Sequence, residues 1–310
     1  MRTTLTTALL VLGSTALAAP VSIPHQNGTL NLPAPAKRIV ALEYSFLDTL
    51  LALGVKPVGA AISTQGGDRG VPAYLAAPSR GVQAIGSRAQ PSFESILAVK
   101  PDVILSDAFV HKNIYGQLSG IAPTVAFESR RGSYDDAMQQ VLLIGKMVGK
   151  EAAAKNIYDD QARLVAKAKK FANPKAPPVV MAVVTSKSVT LHSTESFIGS
   201  LIETLGRKNP VKPQGSNTQY EVSLEGLMAL NPASLVLFTG ADESPITREW
   251  AKNPLWQKLS AVQRGRVYEF DRDLWTRARG PMALKLMLAQ AVESNLLSDK
   301  LPPSAYAYRP

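Results

Sequence analysis

The chain has 310 residues, enough for about two domains, and its 45% hydrophobic and 19% charged content is ordinary for a protein that buries a core. It contains no cysteine, which excludes disulfides, a thiolate metal site, a cysteine nucleophile and a lipid-modified cysteine. The 34 basic residues against 24 acidic ones give a net charge of +10. They are scattered and accompany no nucleic-acid motif, so the excess points to an anionic small molecule and not to nucleic acid.

The N-terminus reads as a leader. Arg2 supplies positive charge, Leu5 to Leu17 is apolar, and Ala16-Leu17-Ala18 has the small-x-small form of a cleavage site. Cleavage after Ala18 or Ala19 is expected, leaving an exported, soluble protein without a lipid anchor, as in a bacterial periplasm. The apolar run is too short for a membrane span of about 20 residues.

Val21 to Pro35 reads as a strand-rich lead-in, and Arg38 to Leu42 as a buried parallel strand. Ser45 is placed to cap a helix that runs to Leu53 and stops at Gly54. A short strand at Val58 to Ile62 and a Gly-rich loop at Gly66 to Gly70 follow. Thr124 to Phe127 reads as a strand, Tyr134 to Val148 as a helix started by Ser133, and Glu151 to Phe171 as a long helix. A second strand–helix series begins at Val179 to Val184 and includes Ser196 to Leu205. Strands alternating with helices imply mostly parallel sheets. The expected fold is α/β, with two Rossmann-like lobes bridged by a single long helix and a ligand cleft between them. The boundaries are a leader at 1–18, lobes at 19–150 and 173–310, and the bridge at 151–172.

Two distant segments read as variants of one unit. Ser92-Phe93-Glu94 and Ser223-Leu224-Glu225 each open a short apolar helix, followed by Pro101 or Pro232 and a hydrophobic strand. An offset of 131 residues separates Glu94 from Glu225 and Pro101 from Pro232. Serine capping and the helix dipole account for a glutamate in each first turn, at about 0.3–1 kcal/mol. Duplication accounts for its recurrence in both lobes.

No Walker loop, G-x-G-x-x-G, G-x-S-x-G or H-E-x-x-H is present. The three histidines, His25, His111 and His192, have no paired spacing, so no protein-built metal site is expected. His192 beside Ser193 reads as a strand-end hydrogen bond. Arg88, Arg130, Arg131, Arg277 and Arg279 all fall at loop-like ends of strand–helix units, where open sheets bind ligands. Guanidinium forks suit a polycarboxylate, and Trp275 is placed to supply an apolar wall.

These stretches resemble the periplasmic binding proteins of iron-siderophore and cobalamin importers, and within that family the members that bind ferric dicitrate. The resemblance rests on Arg38 to Phe46, Leu53 to Gly59, Gly86 to Glu94, Ile144 to Gly149, Leu191 to Ser193, Asn253 to Trp256 and Trp275 to Gly280. It implies a receptor that captures an anionic ferric chelate and delivers it to an ABC importer, without enzymatic activity. Closure on the ligand is expected to be slight. No cofactor is implied, because the iron arrives already chelated. By the same resemblance Glu94 and Glu225 dock the two permease subunits, and Arg88, Arg130, Arg277 and Arg279 line the cleft. Arg69, Tyr44 and Ser45 match more loosely as ligand contacts. A monomer is expected. Haem, a corrinoid or a hydroxamate siderophore is the alternative cargo, and an exported hydrolase or lyase or a scaffold protein the alternative class.

Overall fold

The computed structural model describes residues 20–64, 70–240 and 244–309. The expected leader and Arg69 lie outside the described residues. The lead-in is an antiparallel hairpin of β1 (Val21–His25) and β2 (Gly28–Leu32). Gly28, at φ +126°, takes the turn conformation that an L side chain disfavours.

The first lobe contains β3 (Ile39–Ala41), α1 (Tyr44–Ala52), β4 (Gly59–Ala60), α2 (Ala73–Ala76), β5 (Gln83–Ala84), α3 (Phe93–Ala98), β6 (Val103–Asp107), α4 (Tyr115–Ile121) and β7 (Thr124–Phe127). Its sheet has the order β5-β4-β3-β6-β7 and every pairing is parallel. Helices α5 (Tyr134–Met147) and α6 (Glu151–Lys169) follow.

The second lobe contains β8 (Val179–Val184), β9 (Val189–His192), α7 (Phe197–Thr204), β10 (Gln219–Val222), α8 (Leu224–Leu230) and β11 (Ser234–Thr239). It continues through α9 (Thr247–Trp250), α10 (Pro254–Lys258), α11 (Ser260–Gln263), β12 (Val267–Asp271) and α12 (Pro281–Glu293). The sheet order is β10-β9-β8-β11-β12. Parallel pairing dominates the two sheets, as expected, and β9 is the departure from it. β11 pairs parallel with β8 and β12, whereas β9 runs antiparallel to both β8 and β10. The connection of β8 to β9 across Thr185 to Ser188 is too short for a crossover, so it forms a hairpin.

The 131-residue repeat survives in backbone detail. Ser92 and Ser223 cap α3 and α8 by accepting from the amides of Ser95 and Gly226, each at 3.2 Å. Lys100 (φ +44°) and Asn231 (φ +36°) both enter the left-handed region before Pro101 and Pro232. Each unit then feeds the strand beside the first strand of its sheet, β6 next to β3 and β11 next to β8.

One other expected cap is absent. Glu43, not Ser45, precedes α1, and it makes no side-chain cap. At the far end Gly54 stops the helix in the left-handed region, as expected.

Alternating residues divide each sheet between two cores. Ile39 and Ala41 of β3, and Val236 and Phe238 of β11, enter one apolar core that is continuous between the lobes. Val40 and Leu42 face a smaller core in the first lobe, and Leu235 and Leu237 one in the second. The long helix α6 packs along α5 and α12, while α5 also touches β1, α1 and α7. The expected linker is therefore one member of a helical layer. Gly145 lets α6 approach α5 closely, because a Cβ there would stand 2.2 Å from that of Ala154. A shared core and a packed helical layer both favour a stiff relation between the lobes.

Candidate functional site

The chain ends its strands β5, β7 and β12 in loops that meet between the lobes. The arginines on those loops converge. Arg88, Arg130, Arg272, Arg277 and Arg279 line one cavity of about 240 Å³, with Val183, Thr190, His192 and Gln219 of the second sheet and Thr185 of the β8–β9 turn. A larger hollow of about 480 Å³ lies beside Glu225, lined by Lys187, Glu221 and Trp250 among others. Its charges are mixed, whereas the smaller cavity gathers five guanidiniums, whose mutual repulsion a bound anion would relieve further than Glu43 and Asp273 already do.

Local structure holds Arg88, Arg277 and Arg279 and the loop that carries Arg130. Arg88 projects from a tight turn in which the Ser87 amide donates to the Gln90 carbonyl at 3.2 Å. Gly86 is required there, since a Cβ would come within 2.6–2.9 Å of the Gln90 and Ser92 backbone and of the Pro91 Cα. Arg88 Nη1 pairs with buried Glu43 at 3.1 Å. His111 Nδ1 accepts from the Asp107 amide at 2.8 Å, so its Nε2 carries the proton and donates to the Arg88 carbonyl, also at 2.8 Å.

Asp107, at the end of β6, organises the neighbouring loop. Its Oδ2 accepts from the amides of Ser129 and Arg130 at 2.9 and 2.7 Å, and its Oδ1 from those of Phe109 and Val110 at 2.9 and 2.6 Å. Arg277 Nη1 pairs with Asp273 at 2.8 Å within a π-helical turn spanning Asp273–Ala278. Arg279 sits at φ +64° and donates through Nη2 to the Thr276 carbonyl at 2.6 Å.

Burial dominates the electrostatics. Arg279 is 8% exposed, and its pKa falls to about 10, through desolvation first. Arg88 and Arg130 push it further down, against Glu43 and Asp107. It stays charged at neutral pH. His192 is pushed down to about 3 by desolvation, then by Arg279 and Arg130, so its ring is neutral.

The other expected site residues fall elsewhere. Tyr44 and Ser45 are buried beneath the cavity and support its wall. The guanidiniums of Arg88 and Arg277 lie 4.7 and 5.2 Å from the Tyr44 ring centre. The Ser45 and Ser129 hydroxyls are 2.8 Å apart, and Arg279 Nη1 approaches Ser129 at 3.4 Å. Trp275 is 1% exposed and packs on Phe270 and Phe238, donating to Gln290 Oε1 at 2.6 Å. It therefore offers no wall to the cavity, because its whole ring is committed to the core. Arg131 also leaves the cluster, lying over the Phe109 ring at 3.5 Å. Glu94 and Glu225 are exposed in the first turns of α3 and α8, and the Glu225 carboxyl is held below its usual pKa by its own amide and the Ser223 hydroxyl.

Sequence reasoning missed Arg272, Asp107, His111 and His192. Arg272 follows β12 directly and obeys the same strand-exit rule as the others. Asp107 and His111 carry no signal of their own, since their contacts join loops distant in sequence. Among the described residues, no group of three or more His, Asp or Glu side chains is placed to hold a metal ion. No helix among them is long and apolar enough to cross a membrane.

The periplasmic binding protein family model matches residues 39–274. The Fe(3+) dicitrate-binding periplasmic protein FecB of Escherichia coli is 35% identical over 290 residues, covering 92% of this chain and 93% of FecB. The Fe(3+)-citrate-binding protein YfmC of Bacillus subtilis is 36% identical over 260 residues, 83% of this chain and 80% of YfmC. Among solved structures, Staphylococcus aureus SirA complexed with staphyloferrin B superposes with a TM-score of 0.75 at 23% identity, covering 88% and 97% of the two chains. The chain belongs to the periplasmic binding protein family, whose members bind substrates and are not enzymes.

Proposed function

We propose that this chain captures an anionic ferric chelate with citrate-like carboxylates between its lobes and delivers it to an ABC importer. The carrying observation is the convergence of five guanidiniums from both lobes on one cavity. Arginine donates only, stays charged and grips carboxylates bidentately, so the cluster favours a polycarboxylate over a neutral ligand. The likeness to FecB and YfmC supports the citrate reading. Iron is cargo here, held by its chelator, while the protein supplies charge and shape.

The protein acts in the periplasm as a monomer. Glu94 and Glu225 dock the two permease subunits, one per lobe, which their exposure on equivalent helices supports. Arg88, Arg130, Arg277 and Arg279 contact the chelate, and Arg272 joins them. Arg69 is retained as a contact on the strength of its sequence match. Titration with ferric dicitrate, followed by intrinsic tryptophan fluorescence, tests the ligand. A saturable change is expected; none up to millimolar chelate would sink the assignment.

A further inference from the structure

His192 closes β9, and the alternation of that strand sets its direction. Val189 and Leu191 enter the second lobe's own core, so Thr190 and His192 take the opposite face, with Val183 of the paired strand β8. Thr190, His192 and Val183 all line the arginine cavity. The His192 side chain is 2% exposed, yet neither Nδ1 nor Nε2 has a hydrogen-bond partner among the described protein groups. The Phe238 ring meets the imidazole edge-on at 6.5 Å and offers no acceptor or donor. The expected strand-end bond does not form: neither ring nitrogen meets the Ser193 hydroxyl, which accepts from the Glu195 amide at 3.3 Å.

A buried ring with both nitrogens unpaired is costly in a purely structural role. A ligand entering the cavity would complete it. The chemistry also differs from the rest of the wall. Guanidiniums only donate, whereas a neutral imidazole offers one donor and one acceptor.

We propose that His192 is a specificity-determining ligand contact, whose neutral imidazole accepts a hydrogen bond from a hydroxyl or un-ionised carboxyl group of the bound anion that is not itself ligated to iron. This rests on the cleft being the site of an anionic chelate. The arginines pull in any polyanion of suitable size; His192 favours a hydroxycarboxylate over one that lacks the hydroxyl. Rejecting an analogue for a missing hydroxyl requires a buried group left unpaired by it, and His192 is such a group.

Isothermal titration of wild type, His192→Leu and His192→Asn with metal-free citrate and with tricarballylate (citrate lacking its hydroxyl) tests this. Wild type is expected to prefer citrate by about tenfold or more. The Leu variant should lose most of that preference while still binding both anions through the arginines, and Asn, which keeps a donor and an acceptor, should restore part of it. The empty Leu variant should melt no lower than wild type. An unchanged citrate preference in His192→Leu, or a melting temperature several degrees lower, would overturn the inference alone. Failure of wild type to hold either metal-free anion while it still binds ferric dicitrate would also overturn the inference alone; failure to hold ferric dicitrate as well would overturn the reading of the cleft and the inference with it.

Discussion

Arg277 of the second lobe donates from Nη2 to the Tyr44 hydroxyl of the first lobe at 3.3 Å, and its guanidinium lies 5.2 Å from the centre of the same ring. Arg88 approaches that ring from its own lobe at 4.7 Å. One buried phenol thus sets two cationic wall residues. The hydroxyl donates onward to the Gly70 carbonyl at 2.5 Å, which fixes its orientation. Tyr44→Phe keeps the ring and loses the hydroxyl, so chelate affinity should fall only a few-fold. Tyr44→Leu removes the π face from both arginines, each worth about 0.5–2 kcal/mol, and should weaken binding tenfold or more. Equal affinities for the two variants would show that the ring does not organise the wall.

The arginines themselves should differ in their tolerance of lysine. Arg277 spans Asp273 and Tyr44 at once, and Arg279 reaches both Ser129 and Thr276. A lysine carries one point charge and cannot reproduce either fork. Arg277→Lys and Arg279→Lys should therefore lose nearly as much affinity as the alanine variants, with circular dichroism spectra unchanged. Full binding by the lysine variants would reduce the role of these residues to net charge. Raising salt should weaken wild-type binding as well, since complementary charge is screened beyond about 10 Å at 0.1 M.

Asp107 is expected to act through the loops and not on the ligand. Its four accepted amide bonds fold the segment that carries Arg130, and the neighbouring His111 pins Arg88. Asp107→Ala should lower stability by at least about 1–3 kcal/mol, the cost of leaving buried amides unsatisfied, and weaken chelate binding. Thermal melting and titration of the same sample check both. Weak binding with unaltered melting would instead make Asp107 a direct contact.

Much of this was legible in the sequence, for identifiable reasons. The ends of β7 and β8 are sharp because short, mostly apolar strands are bounded by polar or proline residues. The repeat at Glu94 and Glu225 was readable because capping, helix and proline all act within about ten residues. The antiparallel β9 was not, since four residues, Val-Thr-Leu-His, are too few for their alternation to fix the strand's sense. Trp275 was misplaced for a similar reason. Its neighbours Arg277 and Arg279 face the cavity, but the π-helical turn rotates the indole into the core beside Phe270. His192 was unreadable as a cavity residue until the pairing of β8 with β9 fixed which face it takes.

Asp48 links the lobes in a pH-dependent way. It lies on α1 and accepts from the Met282 and Ala283 amides at 2.8 and 3.0 Å, capping α12 from outside, and from the Tyr74 hydroxyl at 2.6 Å. Gly280 leaves room for it, as a Cβ there would sit 2.2 Å from the carboxyl carbon. Burial, outweighing these bonds, raises its pKa from 3.8 to about 6. A raised folded pKa means the folded state holds the proton more tightly. This contribution to stability is therefore fully present below about pH 4 and is lost as pH rises through about 6. Between pH 5 and 7 the wild-type melting temperature should fall more than that of Asp48→Asn, by about 2–4 °C for each kcal/mol. Identical slopes for the two proteins would contradict the assignment.

Glu94→Lys and Glu225→Lys test the docking role. Both side chains are exposed, so folding and chelate affinity should be unchanged, within about twofold, while transport of the chelate is abolished. Radio-iron uptake by cells that carry each variant as their sole receptor measures the second. Loss of chelate binding in either variant would make the glutamates structural.

The arginine cavity is predicted to hold iron together with its carboxylate chelator. Equilibrium dialysis of purified protein against iron and citrate carrying different radiolabels tests this most directly. Saturable retention of both labels in a fixed ratio, lost in Arg277→Ala and Arg279→Ala, is the predicted result. Retention of neither label, or of iron without citrate, would contradict it.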